Sequence, residues 1–222
     1  LTNALIDNRS MLTMVSIERV WNELSRIIMG KNAGTVLSRM SKDGVLSAII
    51  GFPISSELIE ILDKFSDDLE ARITILFSEL KFNEVEIILD RLKVSKAVFS
   101  RIKRLHYLLD KTPLSTDMRL YRNFIGEDVV AHASIRNSLG RDTELITKSL
   151  EYPIGLKCIV DGEWIMERTG LNPGIKLGRL KDWLFRIQIE RGYTNASQIE
   201  TALCTLPWQH GNPEEWPRSK WP

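Results

Sequence analysis

The stretch SIERVWNELSRIIMGKNA, residues 16–33, decides the fold class. Its apolar residues Ile17, Val20, Trp21, Leu24, Ile27 and Ile28 recur at three- and four-residue steps, which gathers them on one side of an α-helix. Ser16 stands ahead of the run, where its hydroxyl can accept from a free N–H of the first turn. Gly30 stands behind it and ends it. Glu18 falls in the first turn, where the helix dipole favours an anion. Arg19 and Glu23 are four apart, the spacing of an exposed ion pair worth ~0.3–0.5 kcal/mol.

The same period runs outward along nearly the whole chain, and strand-like alternation is almost absent. A second helix is expected from Ala33 to Lys42, burying Val36, Leu37 and Met40 and stopping at Asp43-Gly44. Val45–Ile50 is a short apolar piece broken by Gly51-Phe52-Pro53. Further helices are expected to start at Ser55 or Ser56, at Asp67 or Asp68, at Asn83 and at Ser95. Asn83 and Glu86 have the spacing of a capping box. Beyond Pro113, short helices are expected over 116–124 and 127–138, and Asp142 caps another reaching Glu151. Asp161–Arg168 closes at Gly170, and Asn172-Pro173 reads as an N-cap followed by Pro in the first turn of a helix ending at Gly192. A last helix covers about 196–206. The fold class read from this pattern is all-α.

With 222 residues, 43% of them hydrophobic, the chain can bury a core but is too long for one small helical unit. Four divisions are expected: 1–50, a helical body over 51–151, a helical tail over 152–206, and a Trp- and Pro-rich extension over 207–222. Tyr152-Pro153-Ile154-Gly155 reads as the joint between body and tail. Cys158 and Cys204 are far apart and lack a CxxC companion, which argues against a disulfide framework or a zinc site and for buried thiols. No apolar run reaches the ~20 residues of a membrane span. The chain opens without Met and in mid-pattern, so a fragment of a longer protein is expected.

Net charge is only +1, so no global excess announces a polyanionic partner, yet the charge is segregated. Residues 57–90 are rich in Asp and Glu. From Arg91 onward the chain turns basic, with Lys96, Arg101, Lys103, Arg104, Lys111, Arg119 and Arg122, and the tail adds Lys176, Arg179, Lys181 and Arg186. Such side chains read phosphates as charge, without sequence information. On the helix from Ser95, Lys96, Lys103, Tyr107 and Lys111 fall away from the apolar stripe. That suits a surface tracking a nucleic-acid backbone, and a solvated helix face explains the same pattern. His106 and His132 read as packing or surface residues, and the methionines as core filler. Trp208, Trp216 and Trp221 can stack on bases or fold back onto the body, and folding back is expected.

Two stretches are more specific than periodicity. Ser16-Ile-Glu18-Arg19-Val-Trp-Asn-Glu23-Leu24 resembles the last shared motif of class II tRNA nucleotidyltransferases, S-x-E-R-[IV]-x-x-E-L. Gly51-Phe52-Pro53 falls where relatives carry G-L-P. Gly170-Leu-Asn-Pro173-Gly174-Ile-Lys-Leu-Gly178 resembles that family's tail motif, G-x-x-P-G-x-x-x-G. The resemblance spans residues 10–205. It implies that Ser16, Glu18, Arg19 and Glu23 belong to a neck helix bracing its neighbour, within a neck remnant over 1–50. It further implies that body and tail grip tRNA by shape, with phosphate attracted to the N-terminus of the tail helix near Gly174. The family's catalytic head, whose D-x-D pair binds two metal ions, has no counterpart here. Asp68-x-Glu70 and Glu84-x-Glu86 come closest, but both fall in helical pattern, where i and i+2 side chains do not share a face.

No catalytic residue, cofactor or metal site is therefore expected within this chain. The resemblance places Mg2+ in the missing head, and with it CTP and ATP. It also implies a cytoplasmic protein, or a mitochondrial matrix one in a eukaryote. The equivalent portion of a bacterial poly(A) polymerase is the nearest alternative, and a helical adaptor that binds protein is an alternative of another class.

Overall fold

Ser16 does cap the first helix: its hydroxyl accepts from the Arg19 N–H, and α1 runs Ile17–Ile28. A computed structural model describes residues 15–65 and 67–221. Among them every regular element is helical. The remaining α-helices are α2 (Ala33–Lys42), α3 (Val45–Ile50), α4 (Ser56–Ile61), α5 (Leu69–Leu76), α6 (Phe82–Arg91), α7 (Lys96–Leu108), α8 (Met118–Ile125), α9 (Asp128–Ser138), α10 (Glu144–Lys148), α11 (Gly162–Thr169), α12 (Ile175–Arg191) and α13 (Ala196–Thr205). Single 3-10 turns follow α4 and α10, and a third covers Pro213–Glu215. No described helix is long and apolar enough to cross a membrane.

Two compact units divide the chain. The first runs up to Lys111 and takes in Val130–Thr143. Its centre is α5, in which every residue from Ala71 to Leu76 is buried, so its burial is all-round and not a stripe. Arg72 lies among them. Its guanidinium donates to the carbonyls of Ile28 (2.6 Å) and Phe65 (2.8 Å), satisfying an acceptor that the end of α1 leaves open. α2 packs on α4 with almost no space between. A Cβ at Gly34 would stand 2.9 Å from the Ile59 carbonyl oxygen, and the Gly34 N–H donates to Asp63 at 2.7 Å.

The second unit comprises Thr112–Val129 and Glu144–Pro222. α12 is its spine, packed by α8, α11, α13 and the 3-10 turn at Pro213–Glu215. The extension after Pro207 is folded back as expected. Trp216 is buried in this core beside Trp183, and Trp221 packs edge-on against Tyr121 and donates to Asp117.

Several expectations need correction. The division does not fall at Tyr152–Gly155, because α8 holds that segment inside the second unit. The Arg119 guanidinium lies 4.4 Å from the Tyr152 ring centroid, Arg122 donates to the Tyr152 carbonyl, and Asn123 accepts the Leu156 N–H. α6 starts at Phe82, before Asn83, because the Glu84 carboxylate takes the Lys81 N–H at 2.8 Å. A lysine side chain has no acceptor, so only half of a capping box forms. Pro173 precedes α12, whose N-cap is Gly174. Val36 and Cys204 are exposed, not buried. Met11 and Met14 lie outside the described residues.

Candidate nucleic-acid interface

α7 separates its faces cleanly. Ser95 caps it through the Val98 N–H, and Ile102, Leu105 and Leu108 are buried. Lys96, Lys103, Arg104 and Tyr107 are exposed on the other side. At 3.6 residues per turn, positions 96, 103 and 107 share one strip of helix surface, which Lys111 extends just past the helix end. Aromatic rings lie under two of these cations. Lys103 Nζ is 5.3 Å from the Phe82 ring centroid, and Lys111 Nζ is 5.1 Å from that of Tyr107. Lys103 also stands 3.7 Å from Glu86, an exposed pair that solvent screens and a polyanion can displace.

Arg101 is not part of that strip. It donates to both oxygens of Asp68, at 2.7 and 2.6 Å, and to Glu70 at 3.0 Å. This corrects the expectation that Asp68 and Glu70 diverge. Asp68 is the N-cap of α5 in extended conformation, so the i, i+2 rule for helical residues does not apply to it. Burial opposes the Asp68 charge, but the Arg101 guanidinium and the Ala71 N–H outweigh it and hold the carboxyl below the usual carboxylate range. The two acids therefore converge on a guanidinium. Among the described residues no group of three or more His, Cys, Asp or Glu is placed to hold a metal ion.

In the second unit the cations are more heavily engaged. Arg119 and Arg122 are half-buried and contact Tyr152, through its ring and its carbonyl respectively. Arg179 pairs with Glu214 at 2.6 Å, and Arg186 with Glu190 at 2.7 Å. Lys176 donates to the Gln209 carbonyl at 3.4 Å, with the Trp208 ring 6.0 Å away. Lys181 is half-buried. Within the tail motif only Gly170 has a conformational reason, closing α11 at φ +70°. Pro173, Gly174 and Gly178 are exposed, and a Cβ at Gly174 or Gly178 would meet nothing within 4 Å. The start of α12 is thus open backbone.

The neck motif is built differently from the expected ion pair. Glu23 pairs with Arg26 at 3.1 Å instead of with Arg19. Glu18 accepts from Lys93 at 3.1 Å, tying α1 to the end of α6. Its own backbone N–H and then Lys93 hold its carboxyl below the usual range. Arg19 and Glu23 edge an apolar groove of about 220 Å³ floored by Val20, Leu24, Ile27, Met40 and Ile49. Both histidines are packing residues. His106 bonds the Leu80 carbonyl at 3.1 Å, and His132 is fully buried.

The contacts Asp68–Arg101, Glu18–Lys93 and Lys103–Phe82 have no signal in the sequence, since their partners stand 33, 75 and 21 positions apart. No curated protein matches the chain. Residues 2–59 match a family model described as "Probable RNA and SrmB- binding site of polymerase A". The matched quarter of the chain contains the whole Ser16–Leu24 motif, and it relates the chain to the poly(A) polymerase and CCA-adding superfamily through an RNA-binding segment.

Proposed function

We propose that this chain is the tRNA-gripping part of a CCA-adding nucleotidyltransferase, which recognises tRNA by shape through the α7 face and the start of α12. The observation that carries the reading is the RNA-binding family match over residues 2–59, together with the tail motif Gly170–Gly178. The exposed cations Lys96, Lys103 and Arg104 supply sequence-independent attraction for phosphates. The open α12 N-terminus around Gly174 supplies backbone N–H groups that favour an anion, with Lys176 nearby. Arg19 and Glu23 border a groove against which a neighbouring helix of the same enzyme can brace. Metal-dependent transfer from CTP and ATP belongs to a head domain, so the chain alone is expected to add no nucleotide to tRNA lacking CCA. A second reading, the equivalent part of a poly(A) polymerase, is favoured by the matched description, which names polymerase A.

The test is binding of two unrelated tRNAs and a single-stranded RNA of equal length over a range of salt. Tight binding of both tRNAs, weakened in parallel by K96A/R104A with a salt slope lower by roughly 0.7–0.9 per lost phosphate contact, is the expected result. Equal affinity for the single strand moves the assignment to the poly(A) reading. Absence of RNA binding overturns both.

A further inference from the structure

Among the cations of α7 stands an exposed aromatic residue whose ring is touched by the Lys111 ammonium. Tyr107 is 54% exposed. The other large aromatic side chains nearby differ: Phe82 lies under Lys103 and beside His106, and Phe99 is packed against the core. Tyr107 is placed in register with Lys103, one turn before it, while Lys111 carries its ammonium to 5.1 Å from the Tyr107 ring. A phenol ring presented to solvent, with the Lys111 ammonium beside it and Lys103 one helical turn earlier on the same strip, combines the two elements of a single-stranded nucleic-acid site. The cations take phosphates, and the ring offers a π-face that any base can cover.

We propose that Tyr107 is a stacking platform for one unpaired RNA base, with Lys103 and Lys111 taking the phosphates on either side of that nucleotide. The proposal rests on the RNA-binding reading and sharpens it, because it names which part of an RNA this face selects. A continuous A-form duplex keeps its base faces stacked on one another, so it can offer the lysines its phosphates but gives the ring nothing to cover. A loop, a bulge or an unpaired end gives both. On the α7 face Tyr107 therefore engages an unpaired nucleotide of the RNA that the chain grips, while the phosphate attraction of the cations around it is indifferent to pairing. Tyr107 projects from a helix whose opposite side is buried through Ile102, Leu105 and Leu108, so the ring is carried on a rigid element.

The experiment compares the full chain with Y107A, Y107F and K103A/K111A on a labelled mixed-sequence single-stranded RNA and on a blunt duplex of the same sequence. Y107A is expected to weaken the single strand about tenfold with an unchanged salt slope, and to leave the duplex alone. Y107F keeps the ring and binds as the parent does. K103A/K111A lowers the salt slope on both RNAs. Melting by circular dichroism shows that each variant is folded. If the parent binds RNA and Y107A binds the single strand equally well, the stacking site is wrong and the RNA-binding reading stands. If Y107A weakens strand and duplex alike, or Y107F fails to restore binding, stacking is likewise wrong. If the parent binds neither RNA, the functional reading falls and the proposal with it.

Discussion

Replacing Arg101 with Ala should destabilise the first unit and leave RNA affinity unchanged. The guanidinium makes charge-assisted hydrogen bonds to both oxygens of Asp68 and to Glu70. Its side chain is 30% exposed against 23% and 22% for the two acids. Fully exposed pairs contribute about 0.2–1 kcal/mol, and removing one partner of a buried pair costs about 3–5 kcal/mol. This cluster lies between those limits, and the variant leaves two adjacent carboxylates without their shared cation. We therefore expect a loss of about 2–3 kcal/mol, which for a domain of this size lowers the melting temperature by about 4–12 °C. Asp68 still caps α5 through the Ala71 N–H, so the helix start survives. Adding D68N and E70Q to R101A removes the stranded charges and should recover part of the loss. Urea and thermal unfolding followed by circular dichroism measure the stability, and RNA affinity is read well below the transition. A variant that melts within about 1 °C of the parent while losing RNA affinity tenfold would refute the argument and return Arg101 to the phosphate contacts.

Two further outcomes are expected. Gly178→Ala should stabilise the second unit by about 0.5–1 kcal/mol, since a Cβ there meets open space on a helix. If RNA backbone approaches α12 at that point, calorimetric stability rises while tRNA affinity falls, and a destabilised variant sinks the first half of this. For His132, burial above all and then the Arg136 charge push the imidazole down to about 4. The unfolded chain takes that proton near the ordinary value of about 6.5, so stability is full above it and declines as pH falls toward 4, by about 3 kcal/mol in total. The urea midpoint of H132L, compared with the parent across this range, should lack that decline. Parallel pH profiles would rule it out.

Local chemistry was legible in the residues themselves. Ser16, Ser95 and Asp161 mark helix starts because a side-chain oxygen satisfies an N–H only two or three residues on, an arrangement complete within one turn. The 3.6-residue period likewise separates the buried from the solvent side of α1 and α7 without knowledge of any partner. The Ser16–Leu24 and Gly170–Gly178 motifs carried the family resemblance by residue type and order alone. Tertiary structure decided what each charge does. Lys96, Arg101 and Arg122 are all cations in one basic segment, yet Lys96 stands in solvent, Arg101 holds Asp68 and Glu70, and Arg122 holds the Tyr152 carbonyl. It also decided that 152–155 lies inside a unit, because α8 comes from before α9 in the chain and packs on α12 beyond it. The reason is range. Caps and periodicity are set over a few residues, whereas an ion pair or a unit boundary depends on which distant segment the buried faces bring alongside.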